Sequence, residues 1–319
     1  MSQYILRRVL LIPILVLGIT LLDFVFINLT PGDPVTAMID PNDAMHMDKQ
    51  AVAARREALG LNKPIIVRYG IWLGQLARGN LGYSLIKSQP VVKMLYHGLE
   101  NTLALMALSL VITTIVGVTL GILSALHPHS ILDYLLTALA FLGVGMPSFF
   151  FALILILVGA LTLGWFPTSG IVTPGASHAL IDRLHHMVLP LVALSINGSG
   201  GLMRYMRSSL LEVLHDDYVT TARAKGLAER VVILRHAVRN ALLPIVTILG
   251  LHVPVLFGGA VVIETIYNIP GIGSILVEAM NTKDYPVIMG GVLMTGVIVL
   301  TSNLLADVAY AVVDPRIRY

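Results

Sequence analysis

DDYVTTARAKGLAERVVILRHAVRNALLP, residues Asp216 to Pro244, is a strongly basic segment lying between two apolar runs. It carries Arg223, Lys225, Arg230, Arg235 and Arg239 against Asp216, Asp217 and Glu229. A basic loop flanked by membrane helices belongs on the cytoplasmic side. The same segment has the marks of local order. Asp216 and Asp217 suit a helix start, where free N–H groups and the positive dipole end favour acids. Small residues follow at Thr220, Thr221, Ala222 and Ala224. Arg223 and Lys225 suit the negative end of that helix, and Gly226 suits a left-handed position just past it. The pattern predicts a short helix ending at Gly226 and a second, basic helix running toward Pro244. A small-sided helix offered to the cytoplasm can fill a groove on another protein.

The rest of the chain is apolar. Of 319 residues, 56% are hydrophobic and 12% charged, and the mean hydropathy is +0.83. A soluble protein has about a quarter of its residues charged, so an all-α integral membrane protein is expected. Zero cysteines exclude disulfides, cysteine-ligated metal and thiol catalysis. Six apolar runs are long enough to span a bilayer. The first is expected over about Val9–Leu29, with Arg7 and Arg8 at its cytoplasmic end. No small-residue cleavage site follows it, so it reads as an uncleaved span. The others are expected over Thr102–Leu126, Ile131–Leu161, Met187–Met206, Leu242–Glu264 and Val287–Ala311. Both termini then lie inside. This divides the chain into a first helix (1–30), an extracytoplasmic insertion (31–101) and a five-helix core (102–319) with its cytoplasmic loop at about 207–241.

Several residues inside these runs are candidates for function. Asp23 lies within the first, where an acid is a functional candidate by default or hydrogen-bonds near the outer interface. The third run is interrupted by Gly143, Gly145 and Pro147, so Pro147 is a candidate bend beside a pathway. The middle of the fourth is small and polar, with Ser195, Asn197, Ser199 and glycines 198, 200 and 201. Such a surface either packs closely or lines a hydrated route. Pro147, Asn197, Ser199 and Gly258 are therefore the candidate pathway residues. His127-Pro-His129 reads as an inner turn, and His185-His186 as solvated interface rather than metal ligands. Asn303 and Asp307 share a face of the last run. In the insertion, helices are expected over Asp48–Leu59 and Ile65–Ala77, the second ending before Gly79. Gly271 and Gly273 with Pro270 permit a tight turn after the fifth run.

Some chemistry is missing. There is no G-x-x-x-x-G-K-[ST], and no Gly-Lys pair at all, so the chain has no P-loop for nucleotide phosphates. Neither H-E-x-x-H nor G-x-S-x-G occurs. An intramembrane protease would need paired acids at one depth, whereas Asp23 and Asp307 lie toward opposite membrane faces. A self-contained secondary transporter would show an inverted repeat, and none is evident.

The basic loop resembles the EAA coupling loop of ABC-importer permeases. Thr220 and Thr221 stand where the general pattern has glutamate and alanine, followed by Ala222 and, after three residues, Gly226. These departures resemble the dipeptide/oligopeptide branch, with its DY-x-x-TARAKGL at Asp217–Leu227 and RHA-x-RNA-x-LP at Arg235–Pro244. LGLNKP and GNLGYS in the insertion, ET-x-x-x-x-PG-x-G at Glu264–Gly273 and DPRIRY at Asp314–Tyr319 resemble the same branch. The resemblance implies six helices in the type I ABC importer permease fold, with the insertion after the first. It implies one half of an ATP-driven translocation pathway for di- or oligopeptides. Nickel chelates and glutathione are alternative cargoes of related branches. It implies a second homologous permease, two cytoplasmic ATPase subunits carrying ATP and Mg, and an extracytoplasmic substrate-binding protein. No cofactor in this chain and no nucleic acid are implied. It implies a place in a bacterial or archaeal plasma (inner) membrane. Tyr218, Thr221, Ala222, Arg223, Ala224, Lys225, Gly226 and Leu227 are the expected ATPase-coupling residues.

Overall fold

A backbone inside lipid must satisfy its own hydrogen bonds, which favours long helices. The structure, a computed structural model, describes residues 2–29, 53, 54, 57, 62–175 and 179–313. In order these form α1 (Ser2–Leu29), α2 (Ile65–Leu76), α3 (Val91–Leu126), α4 (Ile131–Gly145) and α5 (Ser148–Leu155), which continues as a π turn over Ile156–Thr162. Next come α6 (Ala179–Val213), α7 (Asp217–Ala224), a helical run over 229–241 (α8), α9 (Leu243–Ile266), α10 (Ile272–Thr282) and α11 (Tyr285–Val313). Among the described residues, α1, α3, α6, α9 and α11 are each long and apolar enough to cross a membrane. The pair α4 and α5, bent by 107° at residues 146–147, is apolar enough to count as a sixth if the two together make one broken span. Of the expected helix 48–59 only residues 53, 54 and 57 are described; Arg55 and Arg56, the Pro31–Pro34 stop and the DPRIRY end lie outside the described residues.

The chain divides into two compact units. One comprises Met1–Leu6, Thr102–Ile269 and Thr301–Tyr319. Its axis is α6, against which α4, α5, α9 and the end of α8 all pack. The packing is close because the facing residues are small. A Cβ on Gly200 would stand 2.6 Å from the Ala140 carbonyl oxygen, and one on Gly143 would stand 3.1 Å from the Ile196 oxygen. On α3, Gly117 and Gly121 meet Leu202 and Met206 of α6 in the same way. Ser109 and Ser195 hydroxyls lie 2.9 Å apart, and Thr113 donates to the Ser195 carbonyl at 3.3 Å.

The other unit comprises Arg7–Asn101 and Pro270–Leu300. Val91 and Leu95 of α3, Ala279 of α10 and Val287 and Ile288 of α11 form its core. A Cβ on Gly290 of α11 would stand 2.8 Å from the Val91 side chain, and one on Gly291 would stand 2.5 Å from that of Leu276. Asp284 accepts from the Ser84 hydroxyl at 2.5 Å and the Leu85 N–H at 3.1 Å, which pins segment 80–90 to the start of α11. Tyr69 of α2 reaches α1, with its hydroxyl 3.0 Å from that of Thr20.

Three boundaries differ from the sequence reading. Helix α3 starts at Val91 rather than Thr102, because Val91 and Leu95 are fully buried although Lys93 and Glu100 dilute the hydropathy. Helix α6 starts at Ala179 rather than Met187, for His185, Asp182 and Arg183 lower hydropathy without breaking a helix. The turn after α9 is present, with Asn268 at φ 50°, but it opens a full helix, α10, that sequence reading missed. Gly271 N–H donates to the Ser274 hydroxyl at 3.0 Å and starts it.

Candidate functional site

The basic loop is built around α7. Its eight residues, Asp217–Ala224, follow Asp216, which is in extended conformation. At the other end Leu227 N–H donates to Ala222 O at 3.4 Å and Gly226 N–H to Arg223 O at 2.9 Å. This pair of bonds is the Schellman ending, and it needs a left-handed residue. Gly226 supplies it at φ 77°. Arg223 then pairs with Glu229 across the turn, with N–O distances of 2.7 and 3.2 Å. Hydrogen bonding to the guanidinium holds the Glu229 carboxyl below the usual range, and the carboxylate raises Arg223. Tyr218 accepts from the Asn240 amide at 2.9 Å, tying α7 to α8. Ser209 donates to Ala241 O at 3.0 Å, tying α8 to α6.

Val219 and Ala222, three residues apart, face inward. They join Leu202, Met206 and Leu210 of α6 and Val232, Ala237, Val238 and Ala241 of α8 in one buried cluster. This corrects one expectation. Ala222 was expected at a contact with another protein, yet it is 6% exposed within this chain. Helical periodicity puts it on the same side as Val219. Tyr218, Thr221, Arg223, Ala224, Lys225, Gly226 and Leu227 are exposed. They form the outward face of a helix whose back is anchored. A Cβ on Gly226 would meet nothing within 4 Å.

A second cluster lies where α3 ends and α4 begins, beside the last turns of α6. Arg207 donates to both carboxylate oxygens of Asp133, at 2.8 and 2.7 Å. Asp133 is 2% exposed and also accepts from the Ser124 hydroxyl and from His129 N–H at 3.0 Å. One carboxylate thereby joins α3, the 127–130 turn, α4 and α6. Sequence analysis does not single out Asp133. The available signal was an acid in the first turn of α4, just after the Ser130 cap that accepts from Asp133 N–H.

The four pathway candidates separate. Pro147, Asn197 and Gly258 are exposed. Ser199 is buried between helices, its carbonyl 3.1 Å from where a Gly117 Cβ would stand, so it serves packing. Asn197 has a structural task as well. The break at Met146 and Pro147 strands carbonyls at the end of α4. The Asn197 amide donates to Val144 O at 3.4 Å. His185 is exposed and bonds Trp165 O at 2.7 Å, whereas His186, expected to be solvated, is buried and donates to Ser169 O at 3.1 Å. Among the described residues no three His, Asp or Glu gather to hold a metal.

The family described as "Binding-protein-dependent transport system inner membrane component" matches residues 117–319. The chain is similar to the oligopeptide transport system permease protein AppB of Bacillus subtilis (strain 168), 45% identical over all of both chains. It is 37% identical to the dipeptide transport system permease protein DppB of Escherichia coli (strain K12), over all of this chain and 99% of that one. Its fold is similar to a chain of the inward-facing MetNI methionine ABC transporter, with TM-score 0.57 and 18% identity, over 70% of this chain and 97% of that one.

Proposed function

We propose, from the fact that this chain belongs to the family of binding-protein-dependent transport system inner membrane components, that it forms one half of a membrane pathway for di- or oligopeptides. The chain is a multi-pass, non-catalytic permease subunit of an ABC importer. Full-length relatives named for oligopeptide and dipeptide transport support peptides over nickel chelates or glutathione. A second homologous permease completes the pathway, two ATPase subunits drive it from the cytoplasm, and an extracytoplasmic binding protein delivers cargo. Both termini and the 216–240 loop lie inside, and the insertion between α1 and α3 lies outside.

The observation that carries the coupling role is the two-sidedness of α7. Its inner face is fixed to the permease core by Val219 and Ala222, and its outer face is bare. A helix held this way transmits a push on Tyr218, Thr221, Arg223, Ala224, Lys225, Gly226 or Leu227 directly into α6 and α8. ATPase closure thereby reaches the spans. Pro147, Asn197 and Gly258 line the route.

The test uses the reconstituted complex. Ala224→Trp places a bulky ring on the outer face, and Ala222→Trp places it in the buried cluster. Ala224→Trp is expected to leave the permease folded and to abolish ATPase-subunit association. Ala222→Trp is expected to lower permease stability by about 1–3 kcal/mol through overpacking. Normal association and coupled hydrolysis in Ala224→Trp would overturn the coupling role. Failure of the wild-type complex to accumulate any peptide would overturn the cargo.

A further inference from the structure

Helix α6 is mostly buried, yet one narrow face of it is open. Asn197, Gly201, Arg204 and Ser208 are spaced four, three and four residues apart, which keeps them on one side of a helix. Asn197 and Ser208 are exposed and Gly201 and Arg204 half-buried. Between Val9 and Leu29 the large exposed side chains of α1 are Leu, Ile, Val and Phe. Lipid selects such apolar faces, whereas a polar stripe at membrane depth faces protein or a water-filled cavity.

Arg204 is the charge on this stripe. Arg207, one turn further on, is neutralised by Asp133; Arg204 has no such partner among the described residues. Its Nε is buried without a hydrogen-bond partner. Its guanidinium lies 5.0 Å from the ring centre of Phe141 on α4. Phe141 is eight residues along α4 from Asp133, a rise of about 12 Å. The guanidinium is therefore held over an aromatic face about two turns along α4 from Asp133. A cation–π contact orients a guanidinium but does not neutralise it, so the site is complete only with an anion. Beside it the wall is open: a Cβ on Gly201 or on Gly145 would meet nothing within 4 Å.

We infer that Arg204, steadied by Phe141, is the station on the pathway that binds the C-terminal carboxylate of a peptide in transit. The guanidinium fork matches a carboxylate with two parallel N–H···O bonds. Asn197 stands one heptad away, about 10 Å along α6. That is the span of about three extended residues. One Asn197 amide hydrogen is engaged by Val144 O, and its side-chain oxygen accepts an N–H from the other end of a short peptide. Specificity for a free carboxylate then resides in the permease as well as in the binding protein. This inference rests on the peptide reading proposed above.

The test compares one tripeptide as free acid and as C-terminal amide, in proteoliposomes holding the whole complex, each at saturating binding protein. Wild type, Arg204→Gln and Arg204→Lys are compared, with ATPase association and basal hydrolysis measured alongside. Arg204→Gln is expected to slow transport of the acid about tenfold, the loss of one charge-assisted pair. It is expected to leave the amide, the association and the basal hydrolysis unchanged, while Arg204→Lys recovers most of the rate for the acid. Equal slowing of acid and amide, or loss of assembly, would overturn the inference and assign Arg204 to packing or to an acid of the second permease. An unchanged rate for the acid would overturn it too. If wild type carries neither form, the peptide reading itself fails.

Discussion

Helices α1 and α6 are both long enough to cross a membrane, and they are opposite in every other respect. The most apolar window of α1 has mean hydropathy 2.7 and is 11% buried; that of α6 has 1.3 and is 72% buried. Hydropathy therefore marks contact with lipid and not centrality. A helix facing lipid needs bulky apolar side chains, because nothing else satisfies its surroundings. A helix packed on several others needs small side chains, because without a hydrophobic force between helices close contact supplies the attraction. Gly198 and Gly200 of α6 meet Thr113 and Ala140 at distances no larger residue allows. The lower hydropathy of α6 is the mark of its role.

The strongest way to break this contrast is at the inner end of α6. Arg207→Ala leaves Asp133 buried and uncompensated, and unfolding in detergent is expected to be easier by about 3–5 kcal/mol. Adding Asp133→Asn, which removes the stranded charge and keeps an acceptor oxygen, is expected to recover part of that loss. Next, Gly200→Val drives a Cβ into the Ala140 carbonyl, with an expected loss of about 1–3 kcal/mol and a matching fall in thermal midpoint. The sharpening control is Leu15→Ala on α1, where the side chain is 48% exposed. It is expected to change stability by no more than about 0.5 kcal/mol. A loss there as large as at Gly200 would erase the distinction between the helices.

The smallest effect belongs to a region that is neither lipid-facing nor core. Glu229 is held below its usual range by Arg223. A depressed carboxyl contributes stability that is present above its unfolded pKa and lost as pH falls through the folded value. Both partners are well exposed, so the contribution is small and salt-screened. The protection of α7 amides from exchange, measured relative to the intrinsic rate at each pH, is expected to fall slightly on acidification below the glutamate range, and Glu229→Gln is expected to abolish that change in protection.

How legible each feature is in the sequence depends on how local its signal is. The Asp216 start, the Gly226 ending and the break at Pro147 depend on neighbours within four residues, and all three were readable. The Asp133–Arg207 pair joins residues 74 apart, and no local pattern announces it. Ala222 was readable as small but not as inward, because α7 is only two turns long and Val219 gives one fixed point for its orientation. Helix α10 was lost because its Gly and Pro start reads as a turn, and a turn does not disclose the element beyond it. For the candidate pathway, residue type was legible and exposure was not: Asn197 and Ser199 look alike in sequence and face opposite ways.

The place of α6 in the chain has a consequence for how the protein is made. Domains and helices emerge from the ribosome N-terminus first. Helices α3, α4 and α5 are therefore synthesised before the helix on which they pack. Each must persist in lipid without its eventual partner. The long α3 does so on its hydropathy of 2.4. Helix α6, at 1.3 and bearing Arg204 and Arg207, arrives with the least apolar surface and the greatest dependence on its neighbours. Its retention in the bilayer requires that α3 and α4 are already there. Assembly is thus a capture of the fourth span by the second and third, and glycine positions on α6 are the points at which that capture closes.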